Sequence, residues 1–469
     1  MTLDPLANPA LQRELPGLVT AFDGKRMGAL LGAALGTPIT ACSPGKATYL
    51  PGDSCLVRYQ VQVASADHVV CGRVFPDRAA SACYVQDQLA PLADRVVGRP
   101  ELAPFSDLIA HIQPLAMAVS VFPVDGDLPM LVDATDPERM LGVLRARLGG
   151  HLDGCRVDVV AYPRRGRCVL RYELQPGGRT VYGKITAAGE GAYTPAVIEG
   201  LRAGLDHRGG HPPVAIPRSL GYDSSLRLVL MEPLHGTPEA SGGVPPNPLT
   251  ISRLLRAWGK GEAVAAVLSL EELLDACAGI AAMLHTSGVA LGAARTFEVE
   301  VAGLRESLRG IRRLDPVLAG RLEAWLGHAE TLAARTAPLR TSLAHGDFTH
   351  SQIVFDERGA AGLLDFDDIC QAEPALDLGQ FTAYLKLGGA KRSGRALGAA
   401  PFVDRFLRAY GKATGEPDSE LIADRHAAYE ICSLVRMAEH AWYKLKPARL
   451  DHVLDALEGA SSWQRRAVP

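Results

Sequence analysis

Residues 343–368 read LAHGDFTHSQIVFDERGAAGLLDFDD. Two short apolar runs, Gln352 to Phe355 and Gly362 to Asp365, flank Asp356-Glu357-Arg358-Gly359, a polar stretch ending in a turn glycine, which is the signature of a β-hairpin. A turn centred between Arg358 and Gly359 puts Gln352 directly opposite Asp365 across the antiparallel pair. Asp347 stands just upstream, in the loop that enters the first strand. Three oxygen-bearing side chains therefore converge at the base of one hairpin.

That convergence suits a particular chemistry. Phosphoryl transfer asks a protein for a carboxylate that orients an acceptor hydroxyl and takes its proton, and for oxygen ligands that hold magnesium on the phosphates. Asp347 fits the first role, and Gln352 with Asp365 the second.

The same residues carry a resemblance. His345-Gly346-Asp347, a polar amide at 352 and Asp365-Phe366-Asp367 are similar to the catalytic core of the aminoglycoside phosphotransferase and choline kinase family, whose layout parallels the HRD and DFG segments of protein kinases. The resemblance implies a catalytic base at Asp347, magnesium ligands at Gln352 and Asp365, Mg2+ as cofactor, and ATP or GTP as phosphoryl donor. It also implies that Asp377, in PALDLG, holds the catalytic loop. Most members have Asn where this chain has Gln352; the longer amide still offers a carbonyl oxygen. Gln at this position resembles the maltokinase and glucosamine kinase branch. A scaffold protein of the same fold, in which the change at Gln352 marks decayed chemistry, is the alternative reading.

The chain has 469 residues, 47% hydrophobic, enough for two or three domains with their own cores. A net charge of −3, from 49 basic and 52 acidic residues, argues against a nucleic-acid or anionic-membrane surface. Neither a secretory signal nor a membrane-spanning run is readable at the start, so a cytoplasmic protein is expected. There are nine cysteines and no C-x-x-C pair, and most of them read as buried thiols.

Upstream lies an internal repeat. Residues 26–59 align without a gap on residues 139–172: Arg26-Met27 falls on Arg139-Met140, Cys42 on Cys155, Tyr49 on Tyr162, Cys55 on Cys168, and Arg58-Tyr59 on Arg171-Tyr172. Farther on, Cys71-Gly72-Arg73 meets Tyr182-Gly183-Lys184. Each copy opens with a helical pattern and continues as alternating strands. In the second copy the strands are Val157 to Ala161, Cys168 to Leu174 and Thr180 to Thr186, followed by a helix from about Pro195 to Leu205 and a strand from Leu226 to Met231.

That order resembles the nucleotide-binding lobe of the kinase-like fold, and the resemblance supplies roles. Lys184 would meet the nucleotide's phosphates, Glu199 (with Glu190 as runner-up) would fix Lys184, and the backbone of Met231, Glu232 and Leu234 would form the purine-reading hinge. The loop Pro163 to Arg167 would cover the nucleotide. The first copy has Arg73 in place of Lys184 and no HGD of its own, so it reads as a degenerate copy serving as a cap, a regulatory module or a homodimer surface.

The expected architecture is α+β: a bilobal protein-kinase-like fold with a β-rich N-lobe and a helical C-lobe, preceded by a degenerate duplicated N-lobe-like domain. Its divisions are residues 1–130, 131–234 and 235–469, with His235 to Thr250 as the connection into the C-lobe. A capping box at Ser269 and Glu272 starts the next helix, in which His285 reads as a core histidine. The expected partners are a nucleotide and a small polar hydroxyl-bearing substrate, sugar-like or aminoglycoside-like. Asp368, Glu430 and Glu439 are candidates for holding an amino-sugar ammonium group.

Overall fold

The computed structural model describes residues 3–164, 166–206, 214–234, 268–356, 358–393, 400–415 and 420–464. The segment His235 to Thr250 read above as a connection lies outside them.

The repeat is a repeat of structure. In the first unit, strands β1 (Ala41–Leu50), β2 (Ser54–Val63), β3 (Ala66–Val74), β4 (Ile109–Ile112) and β5 (Met117–Val121) form one sheet in the order β1-β2-β3-β5-β4. In the second, β6 (Gly154–Arg164), β7 (Arg167–Gln175), β8 (Arg179–Thr186), β10 (Ser219–Asp223) and β11 (Leu228–Met231) repeat it as β6-β7-β8-β11-β10. The short strand β9 (Val214–Ala215) leaves to join another sheet. A helix precedes each sheet, Gly24–Ala34 and Pro137–Leu148, and each begins at an aspartate whose carboxylate accepts from the third backbone N–H onward: Asp23 from Arg26 and Asp136 from Arg139.

Packing explains which residues the copies share. Tyr59 and Tyr172 are buried at matching places and donate their hydroxyls to the carbonyls of Ala21 and Ala134, at 2.8 and 3.0 Å. Gly72 and Gly183 lie flat against these rings; a Cβ there would come within 2.9 and 2.7 Å of a ring carbon. The register then makes Arg73 and Lys184 equivalent: Arg73 pairs with Leu56 and Ala118, Lys184 with Val169 and Val229.

Among the described residues the first helix of the helical half is Leu270–Thr286, whose capping box is formed in both directions between Ser269 and Glu272. A two-residue strand, β12 (Ala293–Ala294), and a helical hairpin, Phe297–Leu314 and Pro316–Ala333, follow. Next come β13 (Ser342–Ala344), β14 (Ile353–Phe355), β15 (Ala361–Leu363) and β16 (Cys370–Ala372), and then the helices Ala375–Ser393, Ala400–Thr414, Glu420–Tyr443 and Pro447–Gln464.

The first unit sits on both of its neighbours. Its core is continuous with that of the C-terminal helices, where the Tyr49 ring meets Trp442 edge-on at 5.7 Å. Arg313 donates to the Tyr49 hydroxyl at 2.6 Å and pairs with Glu14. Against the second unit, the Arg58 guanidinium lies 3.5 Å over the Tyr162 ring, and the Tyr162 hydroxyl donates to Asp125.

Candidate active site

The hairpin forms one residue out of the expected register. Ile353 pairs with Leu363 and Phe355 with Ala361, so Gln352 faces Leu364, whose N–H donates to the Gln352 carbonyl at 2.9 Å, and not Asp365. The cause is the turn. The Asp356 carboxylate accepts from the N–H groups of both Arg358 and Ala360 at 2.8 Å, and Asp356 N–H donates to Ala360 O at 3.0 Å. This closes an odd-length loop centred on Arg358. A one-residue slip would ordinarily turn Asp365 to the opposite face. Asp365 instead adopts a left-handed backbone, φ +65°, which swings its carboxylate back. The Gln352 side-chain N–H₂ consequently reaches both Asp347 at 3.1 Å and Asp365 at 3.3 Å.

Buried hydrogen bonds fix the loop carrying Asp347. Asp377, fully buried at the start of the Ala375–Ser393 helix, accepts from the backbone N–H of His345 at 2.7 Å and of Gly346 at 2.9 Å, and from the His285 ring at 3.1 Å. Burial alone would raise the Asp377 carboxyl, but His285, His345 and these bonds hold it below the ordinary carboxylate range. Gln380, one turn on, accepts from Phe348 N–H and donates to Gly346 O. Gly346 is required: its φ is +78°, and a Cβ would stand 1.9 Å from the carbonyl oxygen of Asp368.

Lys184 reaches across from β8 to this loop. Its ammonium pairs with Asp365 and lies 2.6 Å from Asp367, whose other oxygen accepts from Thr194 at 3.1 Å. Arg167, on β7, stands 3.7 Å from Asp367. Burial pushes Asp365 up, yet Lys184 and Arg167 bring it below its ordinary value. Asp347 goes the other way: burial raises it, Asp368 and Asp365 add repulsion, and His345 and Gln352 offset only part.

The partner expected for Lys184 is different from the one found. On the Thr194–Asp206 helix Val197, Ile198, Leu201 and Leu205 take the buried face, which leaves Glu199 exposed; among the described residues it forms no ion pair with Lys184. The helix contributes Thr194, at its N-terminus, and the second aspartate of DFD supplies the charge. Asp367 was within reach of sequence reasoning, since it belongs to the motif itself.

These groups line one cavity of about 870 Å³. One end is apolar, with Val160, Val169, Met231 and Leu234. Just beyond β11, Glu232 donates its N–H to Arg218 O at 2.9 Å and accepts from Arg179 on its carboxylate at 2.7 Å. The donor set fits magnesium: the Asp365 carboxylate lies against the Gln352 amide, and a flip of that amide would add its oxygen to the carboxylate's. Among the described residues no group of three or more His, Cys, Asp or Glu is placed to hold a metal ion by itself.

The other end of the cavity carries Asp368, Arg295, Tyr384, Arg436 and His440. Ser433, Arg436, Met437 and His440 line it at helical spacing along Glu420–Tyr443. Arg295 and Arg436 were not anticipated; they meet here from segments far apart in the chain. Of the carboxylates proposed to hold an ammonium group, only Asp368 lines the cavity. Glu430 is buried against Lys386 and Thr382, and Glu439 is buried elsewhere on its helix.

Residues 169–423, more than half of the chain, match the family model described as the phosphotransferase enzyme family. The match begins inside the second unit and leaves the first outside it. Several solved structures are similar. Choline kinase LicA from Streptococcus pneumoniae is 13% identical with a TM-score of 0.46, covering 69% of this chain and 99% of that one. The GDP and kanamycin complex of APH(2")-IIia is 13% identical with a TM-score of 0.45, covering 69% and 98%. Spectinomycin phosphotransferase APH(9)-Ia, with ADP and spectinomycin, is 11% identical with a TM-score of 0.43, covering 71% and 95%. No curated protein matches. No helix among the described residues is long and apolar enough to cross a membrane.

Proposed function

Because the chain belongs to the phosphotransferase enzyme family, we propose that it transfers the γ-phosphoryl group of ATP or GTP to a hydroxyl of a small, polar, sugar-like or aminoglycoside-like acceptor. The observation that carries this reading is the convergence of Asp347, Gln352, Asp365 and Lys184 in one cavity, with a raised carboxyl at Asp347 and a lowered one at Asp365. Two carboxylates pushed apart in acidity suit two tasks. Asp347 orients the acceptor hydroxyl and receives its proton. Asp365 stays ionised and, with the Gln352 oxygen, would hold Mg2+, which supplies charge neutralisation on the phosphates. Lys184 turns from Asp365 and Asp367 to the phosphate oxygens. Arg167 approaches from the covering turn, and the backbone at Met231, Glu232 and Leu234 borders the base.

In this reading residues 131–234 hold the nucleotide and 235–469 the acceptor, while residues 1–130 act as a brace. The first unit's continuity with the C-terminal helices favours a brace within the chain over a homodimer surface.

The test is nucleotide binding followed by turnover. Mg-ADP should raise the melting temperature of the wild type and not of Asp365→Ala, and a panel of polyols and sugars should consume ATP in a manner lost in Asp347→Ala. Absence of Mg-nucleotide binding by the wild type would favour the scaffold alternative.

A further inference from the structure

At the acceptor end of the cavity two guanidiniums share one carboxylate. Glu300, its side chain 2% exposed, accepts from Arg295 at 2.8 Å on one oxygen and from Arg436 on the other. The Arg295 side chain is 22% exposed and that of Arg436 27%, and both line the cavity. Arg295 is tied further to the catalytic loop, donating to Gly346 O at 3.3 Å. One buried negative charge therefore serves two positive ones, and the surplus faces the space next to Asp347.

One neighbouring acid offsets part of that surplus: Asp368 lines the cavity and acts on Arg295. Arg436 has no such neighbour in the lining, because Glu439, which lies near it, does not line the cavity, and burial pushes that carboxyl up to about 7. An ammonium-bearing acceptor would meet the Arg436 cation here. A carboxylate or phosphate matches the planar fork of an arginine in both shape and charge.

We infer that the acceptor carries an anionic group, a carboxylate or a phosphate ester, which docks on Arg436 and Arg295 while a hydroxyl of the same molecule lies at Asp347. The inference rests on the kinase reading and narrows it, replacing the aminoglycoside-like half of the acceptor class with hydroxy acids or sugar phosphates. Arg436 is the anion-reading residue and Arg295 couples the anion site to the catalytic loop.

The experiment is calorimetric titration of Mg-ADP-saturated protein with four hexose probes: glucuronate, glucose 6-phosphate, glucose and glucosamine. The expected result is that at least one of the two anions binds at least tenfold more tightly than glucose, and that glucosamine binds no better than glucose. Which anion binds separates a carboxylate from a phosphate. Arg436→Gln should weaken the preferred anion at least tenfold while leaving Mg-ADP affinity unchanged, which also shows that the variant is folded. Arg436→Lys should recover part of the loss. Glucosamine binding as tightly as the anions, no binding by either anion, or unchanged anion affinity in Arg436→Gln would each overturn the inference with the kinase reading intact. Failure of Mg-ADP itself to bind would remove both.

Discussion

The ammonium of Lys184 lies 2.6 Å from the carboxylate of Asp367 and also pairs with Asp365, so one lysine from the second sheet closes two acids of the helical half. Removing its charge, as in Lys184→Met, leaves two carboxylates facing each other. Mg-ADP affinity should fall ten- to a hundredfold, as expected on loss of a charge-assisted contact to phosphate. Stability has a defined pH dependence. The folded Asp365 carboxyl is lowered, so its stabilisation is present above the ordinary aspartate range and disappears as pH falls through the folded value. Wild type and variant should therefore melt apart at pH 7 and converge under acid. A gap in melting temperature that persisted to low pH would contradict this.

Asp347 acts in the opposite sense. Burial raises its carboxyl, and a general base must be ionised to work, so kcat/KM should fall on the acid side with an apparent pKa above that of an ordinary aspartate. Asp347→Asn should lower kcat roughly 10²- to 10⁴-fold. Mg-ADP binding should survive, because the residues proposed to hold the metal are Gln352 and Asp365. An Asn variant that lost nucleotide affinity and kcat in equal measure would assign Asp347 to binding.

Much of this was legible in the chain. The duplicated unit appears as an alignment that is ungapped over residues 26–59, and its structural cause is local: the same tyrosines and helix-capping aspartates recur at the same spacing, and the matching glycines follow after a two-residue deletion. The convergence of Asp347, Gln352 and Asp365 was also legible, but by a route the structure corrects. Sequence spacing cannot tell a two-residue turn from the odd loop that the Asp356 carboxylate organises, nor announce that Asp365 would take a left-handed backbone. Glu199 misled because helical spacing names several residues near a lysine, and only tertiary packing decides which face is buried. Arg295 and Arg436 were invisible because their common partner, Glu300, is itself buried by the fold.

Glu439 offers a stability test away from the chemistry. Burial raises its carboxyl to about 7, outweighing Arg436 and Lys444. Here the sign reverses: the unfolded chain gives up this proton at lower pH than the folded one, so stability falls as pH rises from the ordinary glutamate range to about 7. Glu439→Gln removes the penalty, which is on the order of 3 kcal/mol at most. Its melting temperature should exceed that of the wild type at pH 8 by a few degrees, and the difference should vanish near pH 4. Equal melting at both pH values would mean that the carboxylate finds a cation when ionised.

Arg73 and Lys184 occupy the same place in two copies of one sheet, and their surroundings assign them different work. Lys184 faces a cavity and acids from the helical half. Arg73 is 5% exposed, pairs with Asp127 at 3.0 Å, and has the Tyr84 ring 4.8 Å from its guanidinium carbon. Asp127 follows β5, the strand that corresponds to β11 of the second unit, so the chain leaving the first sheet supplies the acid that pairs with Arg73. A buried pair of this kind is a structural lock, and breaking it from one side costs roughly 3 kcal/mol or more. Arg73→Ala should lower the melting temperature by several degrees and leave Mg-ADP affinity unchanged. Lys184→Ala should do the reverse on nucleotide affinity, at a smaller cost in melting temperature. Nucleotide titration calorimetry and thermal melting on both variants separate the two roles. Loss of nucleotide affinity in Arg73→Ala at a temperature where the protein remains folded would show that the first unit still takes part in the site.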